Sequence, residues 1–135
     1  MAISPEQLKQ VPLFADLDDR ELKSLAASLR DRTFSAGQQV TVEGESGVGF
    51  FVIESGEAKV EVDGREVRTL GPGDYFGEIA LIASAPRSAT ITAVTDLKCH
   101  GLTPWDFKPL VEANGSIAWK LLQTLAQRLA AQPAG

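Results

Sequence analysis

Phe76-Gly77-Glu78-Ile79-Ala80-Leu81-Ile82-Ala83-Ser84-Ala85-Pro86-Arg87-Ser88-Ala89-Thr90 departs from the rhythm of the sequence on either side of it. It opens and closes like a strand, yet Glu78 to about Ile82 are mostly helix formers, so a short helical turn starting near Gly77 is expected inside β-structure. A helix start presents unpaired N–H groups and a positive dipole end, and Gly77 lets a ligand come close to the backbone. Arg87 adds a permanent charge whose planar fork can grip two phosphate oxygens, and Ser88 adds a hydroxyl donor. Glu78 would repel a phosphate unless its carboxylate accepts a hydrogen bond from another part of the same ligand. A sugar hydroxyl fits, and a ribose 2′-OH beside a phosphate explains an acid and a base nine residues apart.

Outward from this stretch the chain divides into three zones. From about Arg32 to Thr103 short strands are broken by glycine turns, the mark of antiparallel β-structure in a barrel, roll or sandwich. Ala58, Val60 and Val62 alternate with Lys59 and Glu61 before Asp63-Gly64, which predicts a hairpin. Phe50 to Ile53 form an apolar run, and Ala89, Ile91 and Ala93 alternate with Thr90 and Thr92. Ser4 to about Arg30 is helical, with Leu17, Leu22, Leu25, Ala26 and Leu29 recurring at three and four and Asp18-Asp19 favouring a helix start. Pro5 belongs in the first turn of a shorter helix that Pro12 ends. The third zone starts a helix at Pro104, pauses at Asn114-Gly115, and continues from Ser116 to about Ala131 with Ile117, Leu121, Leu125 and Leu129 stepping by four.

The residues Phe-Gly-Glu-Ile-Ala-Leu followed by Pro-Arg-Ser-Ala-Thr are similar to the phosphate-binding cassette of cyclic nucleotide-binding domains, as found in bacterial catabolite activator-type regulators and in regulatory subunits of cAMP-dependent protein kinase. Gly44-Glu45, Phe51-Val52-Ile53, Ser55-Gly56 and Leu70 to Phe76 extend the resemblance over nearly the whole chain. It implies an α+β fold: an eight-stranded antiparallel β-roll, jelly-roll-like, with an inserted short phosphate-binding helix, flanked by N-terminal helices and two C-terminal helices. The chain then reads as one domain, 1–135, with helices in 1–31, the roll in 32–103 holding the cassette 76–90, and hinge and lid helices in 104–131.

Carried over by position, the resemblance assigns ligand binding to Phe76, Gly77, Glu78, Ile79, Ala80, Arg87, Ser88 and Ala89. Glu78 takes the ribose 2′-OH, Arg87 the cyclic phosphate, and Gly77, Ala80 and Ser88 donate hydrogen bonds. Trp119 and Leu122 are candidates to cap the base, although core or interface packing is the commoner role for such residues. The implied ligand is cAMP ahead of cGMP, since Ser88 occupies a position where bacterial cAMP receptors also use Ser. Where relatives carry an Asp that relays cassette movement, this chain has Val48.

Composition narrows the function classes. The chain has 135 residues, 13 Lys plus Arg against 18 Asp plus Glu, and a net charge of −5, which argues against direct nucleic-acid binding. One cysteine, Cys99, forbids an intrachain disulfide, and one histidine, His100, cannot build the metal centre of a cupin-type barrel enzyme or a phosphodiesterase. His100 and Cys99 adjoin in a strand and face opposite sides. No uncharged stretch exceeds the ten residues Thr33 to Val42, so no membrane span or signal peptide is expected and the cytoplasm is the default. Trp105 and Phe107 are expected to pack the penultimate helix on the barrel. The expectation is a non-enzymatic cyclic nucleotide sensor without cofactor, acting on an unknown protein partner or a missing effector domain. The alternatives are an excised regulatory half of a larger transcription factor, transporter or enzyme, or a nucleotide-free module that forms a homodimer through Leu122, Leu125 and Leu129 of the C-terminal helix.

Overall fold

The computed structural model describes residues 3–45, 49–83 and 86–132; Gly47 and Val48, the Ser84-Ala85 part of the cassette stretch and the end 133–135 lie outside the described residues. The chain groups into two compact units, a helical one from its two ends (Met1–Ser28 and Trp105–Gly135) and a β unit (Leu29–Pro104).

In the β unit, β1 (Arg30–Phe34), β8 (Leu97–Leu102), β3 (Phe50–Ser55) and β6 (Tyr75–Phe76) form one antiparallel sheet in that order. The second sheet runs β2 (Gln39–Thr41), β7 (Thr90–Ala93), β4 (Ala58–Val62), β5 (Arg65–Leu70). Both sheets contribute to one core, with Phe51, Ile53, Leu97 and Cys99 from the first and Ala58, Val60, Ile91 and Ala93 from the second. The alternation read in β4 and β7 is this inward face. In β3 four successive residues, Phe50 to Ile53, are buried, so the apolar run marks a strand covered on both faces. At the β4–β5 hairpin, Asp63 and Gly64 both have positive φ (52° and 77°), the turn whose twist matches the strands. Among the described residues, eight antiparallel strands with four α-helices make the expected β-roll architecture.

The helical unit begins at α1 (Pro5–Lys9), where the Gln7 N–H donates to the Ser4 hydroxyl (3.2 Å) and the Ser4 N–H to the Gln7 side chain (3.1 Å). A 3-10 turn at Pro12–Phe14 and α2 (Asp19–Ser28) follow. Asp18 and Glu21 repeat the reciprocal cap at the start of α2: the Glu21 N–H donates to the Asp18 carboxylate (2.8 Å) and the Asp18 N–H to Glu21 (2.9 Å). Further on, α3 (Pro104–Ala113) ends where the Asn114 amide donates to the Leu110 carbonyl (2.7 Å), and α4 (Gly115–Ala130) starts one residue earlier than expected.

Two packing expectations change. Phe107 is buried with its ring 6.3 Å from that of Phe14, whereas Trp105 is 68% exposed. Residues two apart on a helix point about 200° from each other, so only one of the pair faces inward. The wide stripe of α4 also divides, with Ile117, Leu121 and Thr124 buried and Trp119, Leu122 and Leu129 exposed. Cys99 and His100 do take opposite faces: Cys99 joins the roll's core, its thiol pushed up to about 12 by burial, while His100 Nδ1 lies 3.3 Å from Asp31 and Nε2 3.7 Å from Glu54. Among the described residues no helix is long and apolar enough to cross a membrane, and no group of three or more His, Cys, Asp or Glu is placed to hold a metal ion.

Candidate functional site

The inserted turn is a 3-10 turn, Glu78–Leu81, that starts at Gly77 in the left-handed region (φ 86°). Glycine is required there on two counts. The conformation disfavours side chains, and a Cβ would stand 2.5 Å from the Gly49 carbonyl oxygen and 2.6 Å from Arg87 Nη1. Phe76, just before the turn, is held in the core by Phe51, ring to ring at 5.3 Å and level in the β3–β6 register. The turn therefore leaves a rigid core residue and runs out over the sheet.

Arg87 is fixed through its backbone first. Its N–H donates to the Glu45 carbonyl and its own carbonyl accepts from the Gly44 N–H, both at 2.9 Å. The side chain then donates from Nη2 to the Gly49 carbonyl (2.8 Å), while the buried Nε has no hydrogen-bond partner among the described residues. An orphaned N–H on a cation costs free energy unless something outside the chain accepts from it. Burial lowers the guanidinium below its ordinary range and the facing charge of Glu78 raises it; a guanidinium remains charged in either case.

These groups line a cavity of about 490 Å³ in the β unit, within the range of small-molecule sites. Every one of the eight candidates from Phe76 to Ala89 lines it, with Gly77, Glu78, Ile79 and Ala80 on the turn and Arg87, Ser88 and Ala89 on the approach to β7. The Ala80 N–H closes the turn on the Gly77 carbonyl (3.1 Å) in this arrangement. Trp119 and Leu122 lie on α4 in the helical unit and are exposed, at 63% and 59%.

Four further lining residues escape a reading of the sequence: Arg68 on β5, Val60 on β4, Ile91 on β7 and Thr41 on β2. The strand registers place them in one cross-strand row, Arg68 opposite Val60, Val60 opposite Ile91, and Ile91 opposite Thr41. Thr41 also donates to the Ala89 carbonyl (3.0 Å), tying that end of the row to the cassette. Only strand pairing reveals such a row. Chemically, the cavity joins an apolar floor to a half-buried cation and a carboxylate.

Residues 31–114 match the family described as the cyclic nucleotide-binding domain. The chain belongs to that family. Over 106 residues it is 44% identical to the cAMP-dependent protein kinase regulatory subunit of Yarrowia lipolytica, covering 77% of this chain and 28% of that protein. The matched part of this chain thus spans about a quarter of that relative's length. Among solved structures, the N-terminal domain of a transcriptional regulator from Streptomyces coelicolor A3(2) superposes with a TM-score of 0.81 at 35% identity, over 92% of this chain and 90% of that one. The regulatory domain of Toxoplasma gondii PKA, crystallised with cAMP, superposes with a TM-score of 0.69 at 33% identity, over 78% of this chain and 42% of that one.

Proposed function

We propose that this domain is a non-enzymatic cAMP sensor, in which Arg87 takes the cyclic phosphate and Glu78 the ribose 2′-OH. The observation that carries the reading is the buried Arg87 Nε, without an acceptor among the described residues, in a cavity that also contains Glu78. A cyclic nucleotide supplies the anion that the cation lacks and a hydroxyl that a carboxylate can accept from. The choice of cAMP is supported by the relatives, whose names or titles carry it.

Ligand capture in such a sensor shifts the C-terminal helices α3 and α4 between two arrangements, which needs different affinity in the two states. The segment just after Pro104, where α3 starts, is the hinge of this reading. The output lies in a protein partner or in further domains of a longer chain. Calorimetric titration with cAMP, cGMP and 2′-deoxy-cAMP, with Arg87→Ala and Glu78→Ala alongside, tests the site. The parent takes up cAMP and Arg87→Ala does not, while Glu78→Ala weakens cAMP binding and leaves 2′-deoxy-cAMP at its parental affinity. Equal binding of cAMP by the parent and both variants would sink the assignment.

A second reading, self-association through α4, is favoured by the exposed Leu122 and Leu129 on that helix. Sedimentation with and without nucleotide separates it from sensing.

A further inference from the structure

Within the helical unit a polar cluster centres on Glu21, a group that the nucleotide reading leaves unused. Its carboxylate is buried and accepts three hydrogen bonds: from Lys120 Nζ at 2.6 Å, from the Ser116 hydroxyl at 2.6 Å and from the Asp18 N–H at 2.9 Å. Lys120 also lies 3.9 Å from Asp18, and the Thr124 hydroxyl donates to Asp16 at 3.0 Å. Ser116, Lys120 and Thr124 step by four along α4, so they form one polar row on a single helix face, beside the buried Ile117 and Leu121. The same carboxylate thus caps the start of α2 and holds the first turns of α4. Burial raises its carboxyl, but the bonds from Lys120, Ser116 and Asp18 outweigh burial and bring it down to about 2; the bond to Glu21 raises Lys120 in turn.

We propose that Glu21 is a latch that keeps α4 on α2 both without and with nucleotide, so that the two ends of the chain answer the ligand as one body and α4 does not swing alone as a lid. The part concerning nucleotide rests on the sensor reading above. The physical ground is that α4 cannot leave by itself without breaking two charge-assisted bonds and the Thr124 bond together, and without uncovering Ile117 and Leu121. A hinge at Asn114 that moved α4 away from α2 would have to overcome all of these at once.

The test is pulsed electron spin resonance on the full chain, labelled through Lys23→Cys on α2 and Gln123→Cys on α4, both exposed positions. The native Cys99 is buried and stays unlabelled. The expected result is a single narrow inter-label distance that saturating cAMP leaves unchanged. Adding Ser116→Ala with Lys120→Met, which spares the Asp18–Glu21 cap, shifts the distribution to longer and broader distances, and Lys120→Met alone does so partially. Circular dichroism on the same samples checks that the helices persist. A lengthened distance in the parent on adding cAMP overturns the proposal, and so does a narrow, unshifted distribution in the double variant. If calorimetry on the labelled parent shows no cAMP uptake, the sensor reading falls, while the variants still decide whether Glu21 holds α4.

Discussion

Arg87 gives one guanidinium nitrogen to the Gly49 carbonyl, at 2.8 Å, and keeps another, Nε, buried with no acceptor among the described residues. The first bond holds the cation in place before any ligand arrives, and the second donor is what a ligand can use. Lysine offers the same charge on a single head, without a fork that can grip Gly49 and a phosphate together. Arg87→Lys is therefore expected to weaken cAMP binding by about 10- to 100-fold while leaving the thermal midpoint near that of the parent. Titration calorimetry and a thermal melt check the two halves. A lysine variant that binds like the parent would show that charge alone suffices and that the Gly49 contact is incidental.

Gly77 is the second point of strain in the same corner. With φ at 86°, and with a Cβ set 2.5 Å from the Gly49 oxygen and 2.6 Å from Arg87 Nη1, Gly77→Ala must move either backbone or guanidinium. The expected cost is about 1–3 kcal/mol in urea unfolding, together with loss of nucleotide binding. Parental stability and affinity in the alanine variant would mean that the turn relaxes freely.

How far the sequence reaches can be judged from these same residues. The cassette was legible because its chemistry is compressed into one segment, Phe76 to Ala89, and because Gly77, Glu78 and Arg87 contradict strand periodicity in a way that asks for a ligand. The hairpin at Asp63-Gly64 was legible because two successive positive φ angles demand those residue types. The sequence predicts strand structure only from about Arg32, later than the observed start of β1 at Arg30, because four of its five residues are exposed and Arg30 to Thr33 carry no alternation. Arg68 was invisible for a similar reason. Its strand, β5, is exposed from Arg65 to Thr69, and only pairing with Val60 brings Arg68 to the cavity. The Glu21 cluster joins residues 95 and 99 positions apart, a separation no local pattern spans. On α4 the period of four was right, but it could not tell which side of a wide apolar stripe is covered.

Arg68 leads to a prediction about the base. It stands at the β5 end of the row that runs through Val60 and Ile91 to Thr41, the residue tied to the cassette. Three inter-strand spacings of about 4.8 Å put it roughly 14 Å from Thr41 along the row, at the end away from the phosphate. Arginine is a donor-only fork, and guanine offers it the O6 and N7 acceptors, whereas adenine presents a donor at the corresponding N6. Arg68→Ala is expected to weaken cGMP by about tenfold and to leave cAMP within about twofold of the parent. Parallel titrations give the ratio directly, and an equal loss for both nucleotides would place Arg68 on the phosphate or sugar instead.

Glu21 makes a prediction in acid. Its carboxyl is held at about 2, against an ordinary 4.5, by the bonds from Lys120, Ser116 and the Asp18 N–H, which outweigh burial. A folded-state value below the unfolded one means the protein binds fewer protons at this group when folded, so the contribution to stability is fully present above pH 4.5. It is lost progressively as the pH falls from there toward 2. Glu21→Gln has no proton to take up. The variant is expected to be less stable than the parent at pH 7, because Lys120 then faces a neutral amide, and the gap should narrow steadily between pH 4.5 and 2. Urea melts of the two proteins at pH 7, 4 and 3 measure the gap. A difference that stays constant over that range would mean that the Lys120 and Ser116 bonds exert no hold on the charged form of Glu21, and that burial of Ile117 and Leu121 with the Thr124 bond holds α4 instead.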